Sequence, residues 1–139
     1  MAGNVTALHG KAGDSEKITI NLGYVDLGRV DLLVQEGFYS NRSDFIRTAI
    51  RSQLAAQAEV VSQSMVRHTL ELGLRDFSRA DLEADRTAGE KLHIKMVGLA
   101  RIAADVPPDL ALATIASISV LGALHASAQV KSALAERIH

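Results

Sequence analysis

The sequence contains no cysteine. It therefore has no disulfide framework and no thiolate metal site, which fits a reducing compartment. No apolar run is long enough to span a bilayer. The first sixteen residues, Met1 to Glu16, lack both a basic n-region and an apolar h-region, so they do not read as a signal peptide. Together these absences make a cytoplasmic protein the expectation, with no membrane partner. An excess of one charge is also missing. Lys and Arg number 15, Asp and Glu 16, and the net charge is −1. Nucleic-acid-binding domains are usually basic, so any affinity for DNA must come from where the cations sit and from doubling them in a dimer. What remains is ordinary globular composition, 47% hydrophobic and 22% charged, over 139 residues. That length allows one domain or two small ones.

The chain is organised around Lys17-Ile18-Thr19-Ile20-Asn21-Leu22. Polar and apolar residues alternate without a break, the period of a strand with one wet and one dry face. Lys17, Thr19 and Asn21 point one way; Ile18, Ile20 and Leu22 point the other. A single short strand cannot form a sheet, and even an isolated pair is marginal in water. The nearest partner is the same strand of a second chain. Before it, residues 1–16 carry Gly3, Gly10 and Gly13 and no apolar period, and read as a flexible arm. His9 and Lys11 within the arm read as solvated.

Two helices follow. Asp26 is placed to N-cap the first, with Val25 and Val30 as a hydrophobic staple and Gly37 as a left-handed terminator. Leu27, Val30, Leu33 and Val34 recur on one face. The second starts at Asn41-Arg42-Ser43-Asp44, where Asn41 as N-cap and Asp44 three residues on have the logic of a capping box. Ile46, Ala49, Ile50 and Leu54 form its apolar stripe, and nothing breaks it before Met65. Arg47 and Arg51 stand four residues apart on its side and read as a solvated face.

From about Thr69 the pattern changes to strands alternating with helices. Leu70, Leu72 and Leu74 alternate. Ser78-Arg79-Ala80-Asp81 is a capping box, and Gly89 can close the helix it opens. Strand-like runs cover Leu92 to Ile102 and Ser117 to Ala126; helices are expected from Asp109 to Ile115, behind Pro107 and Pro108, and from Val130 to Ile138. Ile94 to Gly98 lines up with Ile118 to Gly122 at an offset of about 24 residues, the range of solenoid-like repeats. A weaker match sets Leu70 and Leu72 on Ile94 and Met96. Gly98 and Gly122 suggest bends or close backbone approach rather than a phosphate loop. The outermost strand would keep an open edge that a second chain could cover.

The order strand, helix, capped turn, helix resembles the ribbon-helix-helix family of bacterial DNA-binding proteins, the group of CopG, Arc and MetJ. Ile18 to Leu22, Gly37-Phe38 and the run Asn41-Arg42-Ser43-Asp44-Phe45-Ile46-Arg47 carry the resemblance. It implies that Lys17, Thr19 and Asn21 contact bases in the major groove, which a two-stranded ribbon fits. It implies that Asn41, Arg42 and Ser43 hold a phosphate at a helix N-terminus, a contact that fixes register without reading sequence. It also implies a dimer core of Ile18, Ile20 and Leu22 with Ile46 and Ile50. The expected class is α+β, with a flexible arm over 1–16, a ribbon-helix-helix domain over 17–58, a helical linker over 59–68 and a β-α repeat domain over 69–139.

The leading function is a sequence-specific transcriptional regulator, a repressor, that binds double-stranded DNA as a homodimer and assembles further through its C-terminal half. An antitoxin whose C-terminal half grips a partner protein is one alternative, and a self-assembling scaffold another. No enzyme is expected: Ser64, His68 and Asp76 supply the residue types of a hydrolase triad without a nucleophile elbow. No metal or other cofactor is expected, since His68, His93 and His125 show no close ligand spacing.

Overall fold

The computed structural model describes residues 15–139. The arm expected over 1–16, with His9 and Lys11, falls almost wholly outside them. The chain divides into two compact units between Ser62 and Gln63.

The first unit holds an extended segment over 15–23 and the helices α1 (Tyr24–Gln35) and α2 (Arg42–Ala56). A third helix, α3 (Ala58–His68), begins after a one-residue interruption at Gln57 and runs past the unit boundary. Helix α1 starts three residues earlier than the sequence suggests. Gly23 is its N-cap, without a side-chain bond, so Asp26 lies inside the first turn. Val25 is exposed and makes no staple. The end of α1 is as expected. Gly37 has φ +87°, Gly37 N–H donates to Val34 O, and Phe38 N–H donates to Leu33 O, both at 3.0 Å. These are the two bonds of a Schellman cap, which satisfies carbonyls the helix leaves unpaired.

The second unit is a sheet with helices between its strands. The strands are β1 (Glu71–Phe77), β2 (Leu92–Ile102) and β3 (Ile115–His125), parallel and in the order β1-β2-β3. Helix α4 (Arg79–Ala88) joins the first two, α5 (Pro108–Thr114) the next, and α6 (Ala128–Ala133) follows β3. The Ser78–Asp81 capping box is formed and Gly89 closes α4 in a left-handed conformation. The final helix is shorter than expected. It stops at Ala133, a 3-10 turn spans Ala135–Arg137, and Ile138 leaves the helix to bridge Ile118. Around this return Leu134 is 1% exposed and Ile118 is fully buried.

One core serves all three strands and the helices that follow them. Leu82 of α4, Leu110 and Ala111 of α5, and Val130 of α6 meet Phe77, Ile94, Met96, Ala100, Ile102 and Ile118 in a single cluster. The apolar residues on the other face of the sheet, Leu72, Leu74, Val97, Leu99, Leu121 and Ala123, do not belong to it. In the sheet register Leu72 lies beside Val97 and Val97 beside Leu121, while Leu74, Leu99 and Ala123 form the next row.

Glycine sets this register. Gly73, Gly98 and Gly122 stand side by side, with φ of +130°, +137° and +123°. A side chain on Gly98 would meet Gly73 O at 2.0 Å, and one on Gly122 would meet Gly98 O at 2.1 Å. The match of Ile94–Gly98 to Ile118–Gly122 is therefore the true pairing. The weaker match is off by one residue: Glu71, not Leu72, pairs with Met96. Aligning the leucines would have set Leu74 at the glycine position, where a side chain collides with backbone.

Candidate nucleic-acid interface

Lys17, Thr19 and Asn21 are exposed on the segment before α1. Within one chain 17–22 forms no strand. The reason is physical: a strand is defined by its neighbour, and no other described segment of the first unit supplies one. The alternation still stands. Ile18, Ile20 and Leu22 are 70%, 56% and 42% exposed. Ile50 and Leu54 of α2 are exposed as well, Ile46 is half-buried, and Val30 is the buried apolar side chain of this unit. Five large apolar groups facing solvent around a single buried valine make a unit without a finished core.

The N-terminus of α2 is built from five side chains. Asn41 Oδ1 accepts the Asp44 amide at 2.8 Å. The Asp44 carboxylate reaches back to Ser40, accepting its amide at 3.0 Å and its hydroxyl at 3.2 Å. The carboxylate thus closes on the residue before the cap rather than on Asn41 itself. Tyr39 packs edge-on against Phe45, with ring centroids 5.0 Å apart. Of the four orphan amides of the helix start, those of Asn41 to Asp44, the cap uses that of Asp44, while the Phe45 amide makes the first intrahelical bond by donating to Asn41 O. The amides of Arg42 and Ser43 have no acceptor among the described residues. Two open amides at the positive end of a helix favour an anion.

Arg42 is placed differently from its sequence reading. Its guanidinium forks onto Asp31 of α1, with Nε and Nη2 donating to the two carboxylate oxygens at 2.8 and 2.9 Å. The pair ties α1 to α2 and holds the Asp31 carboxyl below its usual range, through the hydrogen bond from Arg42. Because this carboxyl is depressed in the folded chain, its contribution is present above the ordinary carboxylate pKa and is lost as pH falls through the lowered value. Asp31→Asn is thus expected to lower the thermal midpoint at neutral pH, with a gap to wild type that narrows below about pH 3.9. Thermal melts at a series of pH values check this. A gap that stays constant contradicts the pairing.

Arg29 also has an acid beside it, Asp26 at 3.8 Å. Lys17, Arg47 and Arg51 make no ion pair among the described residues and are exposed. Arg47 and Arg51, whose spacing suggests a solvated face, are thus less committed than Arg42. Only the missing acid partner distinguishes them, and spacing along the helix does not show that.

The family comparison joins these pieces. The model of the Ribbon-Helix-Helix transcriptional regulator family matches residues 13–131. The chain belongs to that family. Its members bind DNA and act as dimers. The match spans the extended segment, both helices of the first unit and the whole parallel sheet as far as α6. The sheet is therefore part of this ribbon-helix-helix protein's family pattern, whereas the sequence motifs alone covered only the first unit. No curated protein and no solved structure matches the chain. Among the described residues no helix is long and apolar enough to cross a membrane, and no group of three or more His, Asp or Glu is placed to hold a metal ion.

Proposed function

We propose that this ribbon-helix-helix protein is a sequence-specific repressor. In this reading, two copies of 17–22 pair antiparallel and lie in the major groove. The observation that carries it is the exposed apolar row Ile18, Ile20, Leu22 alternating with the exposed polar row Lys17, Thr19, Asn21. Pairing the rows of two chains buries the first against Ile46 and Ile50 and presents the second to base edges. Lysine donates to guanine O6 and N7, asparagine pairs with adenine N6 and N7, and threonine meets the thymine methyl.

The phosphate site is assigned to Asn41, Arg42 and Ser43, with the load on the Arg42 and Ser43 amides, since the Arg42 side chain is engaged by Asp31. Arg47 and Arg51, which have no acid partner among the described residues, are added as further phosphate contacts. The DNA-binding domain is 17–58, and the linker 59–68 leads to a short solenoid-like stack over 69–139 that assembles dimers into larger species. A cytoplasmic location follows from this role.

Two outcomes test the DNA reading. Affinity in gel shifts falls steeply with salt, because phosphate contacts release counterions. Asn21→Ala costs about 1–3 kcal/mol on the selected site and relaxes one base position. A variant that binds specific and random DNA as wild type does removes the ribbon from the role of reader. The antitoxin reading would instead show as a small neighbouring protein that co-purifies through the C-terminal half.

A further inference from the structure

The two edges of the parallel sheet are unlike. At the β3 edge the chain returns after the 3-10 turn: Ile138 bridges Ile118, and His139 N–H donates to Ile118 O at 2.8 Å. At the β1 edge no strand lies beside Glu71–Phe77 among the described residues. Strands that stay in water carry proline, a bulge or charges to discourage pairing. β1 has no proline, lysine or bulge in Glu-Leu-Gly-Leu-Arg-Asp-Phe, its charges are of both signs and so can pair across a two-fold axis, and it exposes Leu72 at 71% and Leu74 at 46%.

The edge is also self-complementary. Glu71 and Arg75 stand two residues to either side of Gly73 on the helix-bearing face, aligned with Met96 and Ala100. Leu72 and Leu74 flank Gly73 on the open face. The geometry points to a second copy of this chain as the occupant, with two β1 strands pairing antiparallel about a two-fold axis through Gly73. This pairing sets Glu71 opposite Arg75 of the partner subunit, twice, and Leu72 opposite Leu74 of the partner subunit, twice. Opposite charges and apolar pairs directly across an antiparallel ladder are each stabilising.

Gly73 fits the centre. Side chains on Gly98 and Gly122 would strike the neighbouring strand's carbonyl, and one on Gly73 would project into the same place on the open edge, where it now meets nothing. A glycine there lets another backbone approach. The tail on β3 and the isologous contact together give a closed pair rather than a filament. The three-stranded sheet becomes six-stranded, and its open apolar face becomes continuous across the axis. This deepens the assembly role proposed above by naming its surface, and it stands without the DNA reading.

The test uses the full chain, which contains no cysteine of its own. Opposed antiparallel residues lie within disulfide range. Leu72→Cys with Leu74→Cys, both at exposed positions, is expected to give a covalent dimer on mild oxidation and nothing larger. Within that background, Glu71→Arg and Arg75→Glu are each expected to lower the yield several-fold. A one-to-one mixture of the two recovers it, because one chain then carries arginine at both positions and faces a chain that carries glutamate at both. The Glu71–Arg75 pair inside one chain, at 3.6 Å and well exposed, cannot produce rescue by mixing. No cross-link, or no recovery on mixing, overturns the proposal. A ladder of covalent multimers from Leu72→Cys with Leu121→Cys also overturns it, in favour of head-to-tail pairing along β3. Loss of DNA binding by the ribbon leaves every one of these readouts unchanged, so the two proposals fail separately.

Discussion

Gly98→Ala is expected to destabilise the sheet unit by about 3 kcal/mol or more, a large fraction of the stability of a domain this size. Two costs fall on one methyl group. The first is steric. The new Cβ lies 2.0 Å from Gly73 O and 2.9 Å from Gly73 C, and both are backbone atoms that no rotamer change can move. Relief requires β1 and β2 to part where they are hydrogen-bonded. The second cost is conformational. Gly98 has φ +137°, a region closed to L residues at about 1–3 kcal/mol. Compared in the Glu71→Arg background, which disfavours pairing at the β1 edge, Gly73→Ala separates the two, because it keeps the strained φ of +130° but meets no atom of its own chain within 4 Å. Urea unfolding should therefore rank Gly98→Ala well below Gly73→Ala in midpoint, with Gly122→Ala close to Gly98→Ala. Equal midpoints at 73 and 98 would mean that the close approach carries no weight.

Ile20→Lys is expected to abolish both the dimer formed through the ribbon and specific DNA binding. Ile20 is the middle of the apolar row, so the variant puts two ammonium groups at the centre of the paired strands. An uncompensated charge in such a place costs several kcal/mol. The hydrophobic gain from the isoleucine, about 1.5–3 kcal/mol when fully buried, is lost as well. In a single chain the same substitution is nearly neutral, since Ile20 is already 56% exposed. That contrast separates the explanations. Circular dichroism is expected to show the helices and sheet intact while gel shifts show no specific complex. Thr19→Lys, on the wet face, should keep the ribbon paired and alter base preference instead. If Ile20→Lys binds DNA as wild type does, the alternation at 17–22 serves some other purpose.

The sheet unit was the more legible half of the sequence. Strand β2 ends at the residues its apolar run marks, Leu92 and Ile102, because its inward positions are Ile94, Met96, Ala100 and Ile102 in strict alternation. The turn chemistry at Ser78–Asp81 and Gly89 was equally direct. The register of β1 was not, because leucine matching and glycine matching differ by one residue and only the glycines carry a backbone constraint. The start of α1 is not legible because Asp26 is a good cap by type, yet the exposed helix begins at Gly23 without a side-chain cap. The sequence pattern extends the terminal helix too far because Ile138 suits an apolar helix face and a strand edge alike.

The candidate recognition elements were legible in part. The Asn41–Asp44 cap has the expected bond, and its residue types announce it. The engagement of Arg42 by Asp31 was hidden, since the two lie eleven residues apart on different helices. Spacing reports neighbours along one helix, and this pair depends on how two helices cross. The ribbon is a different case. Its pattern is in the sequence, but its partner is in another molecule, so a single chain displays only the exposed row that the pairing would bury.

The measurement that bears most directly on the central claim is selection of binding sites from random double-stranded DNA with the full-length protein, followed by the same selection with Asn21→Ala. The account predicts enrichment of an inverted repeat, matching the two-fold axis of a paired ribbon, with one base position per half-site relaxed in the variant. No enrichment over the starting pool, or an enriched motif that Asn21→Ala leaves untouched, would contradict it.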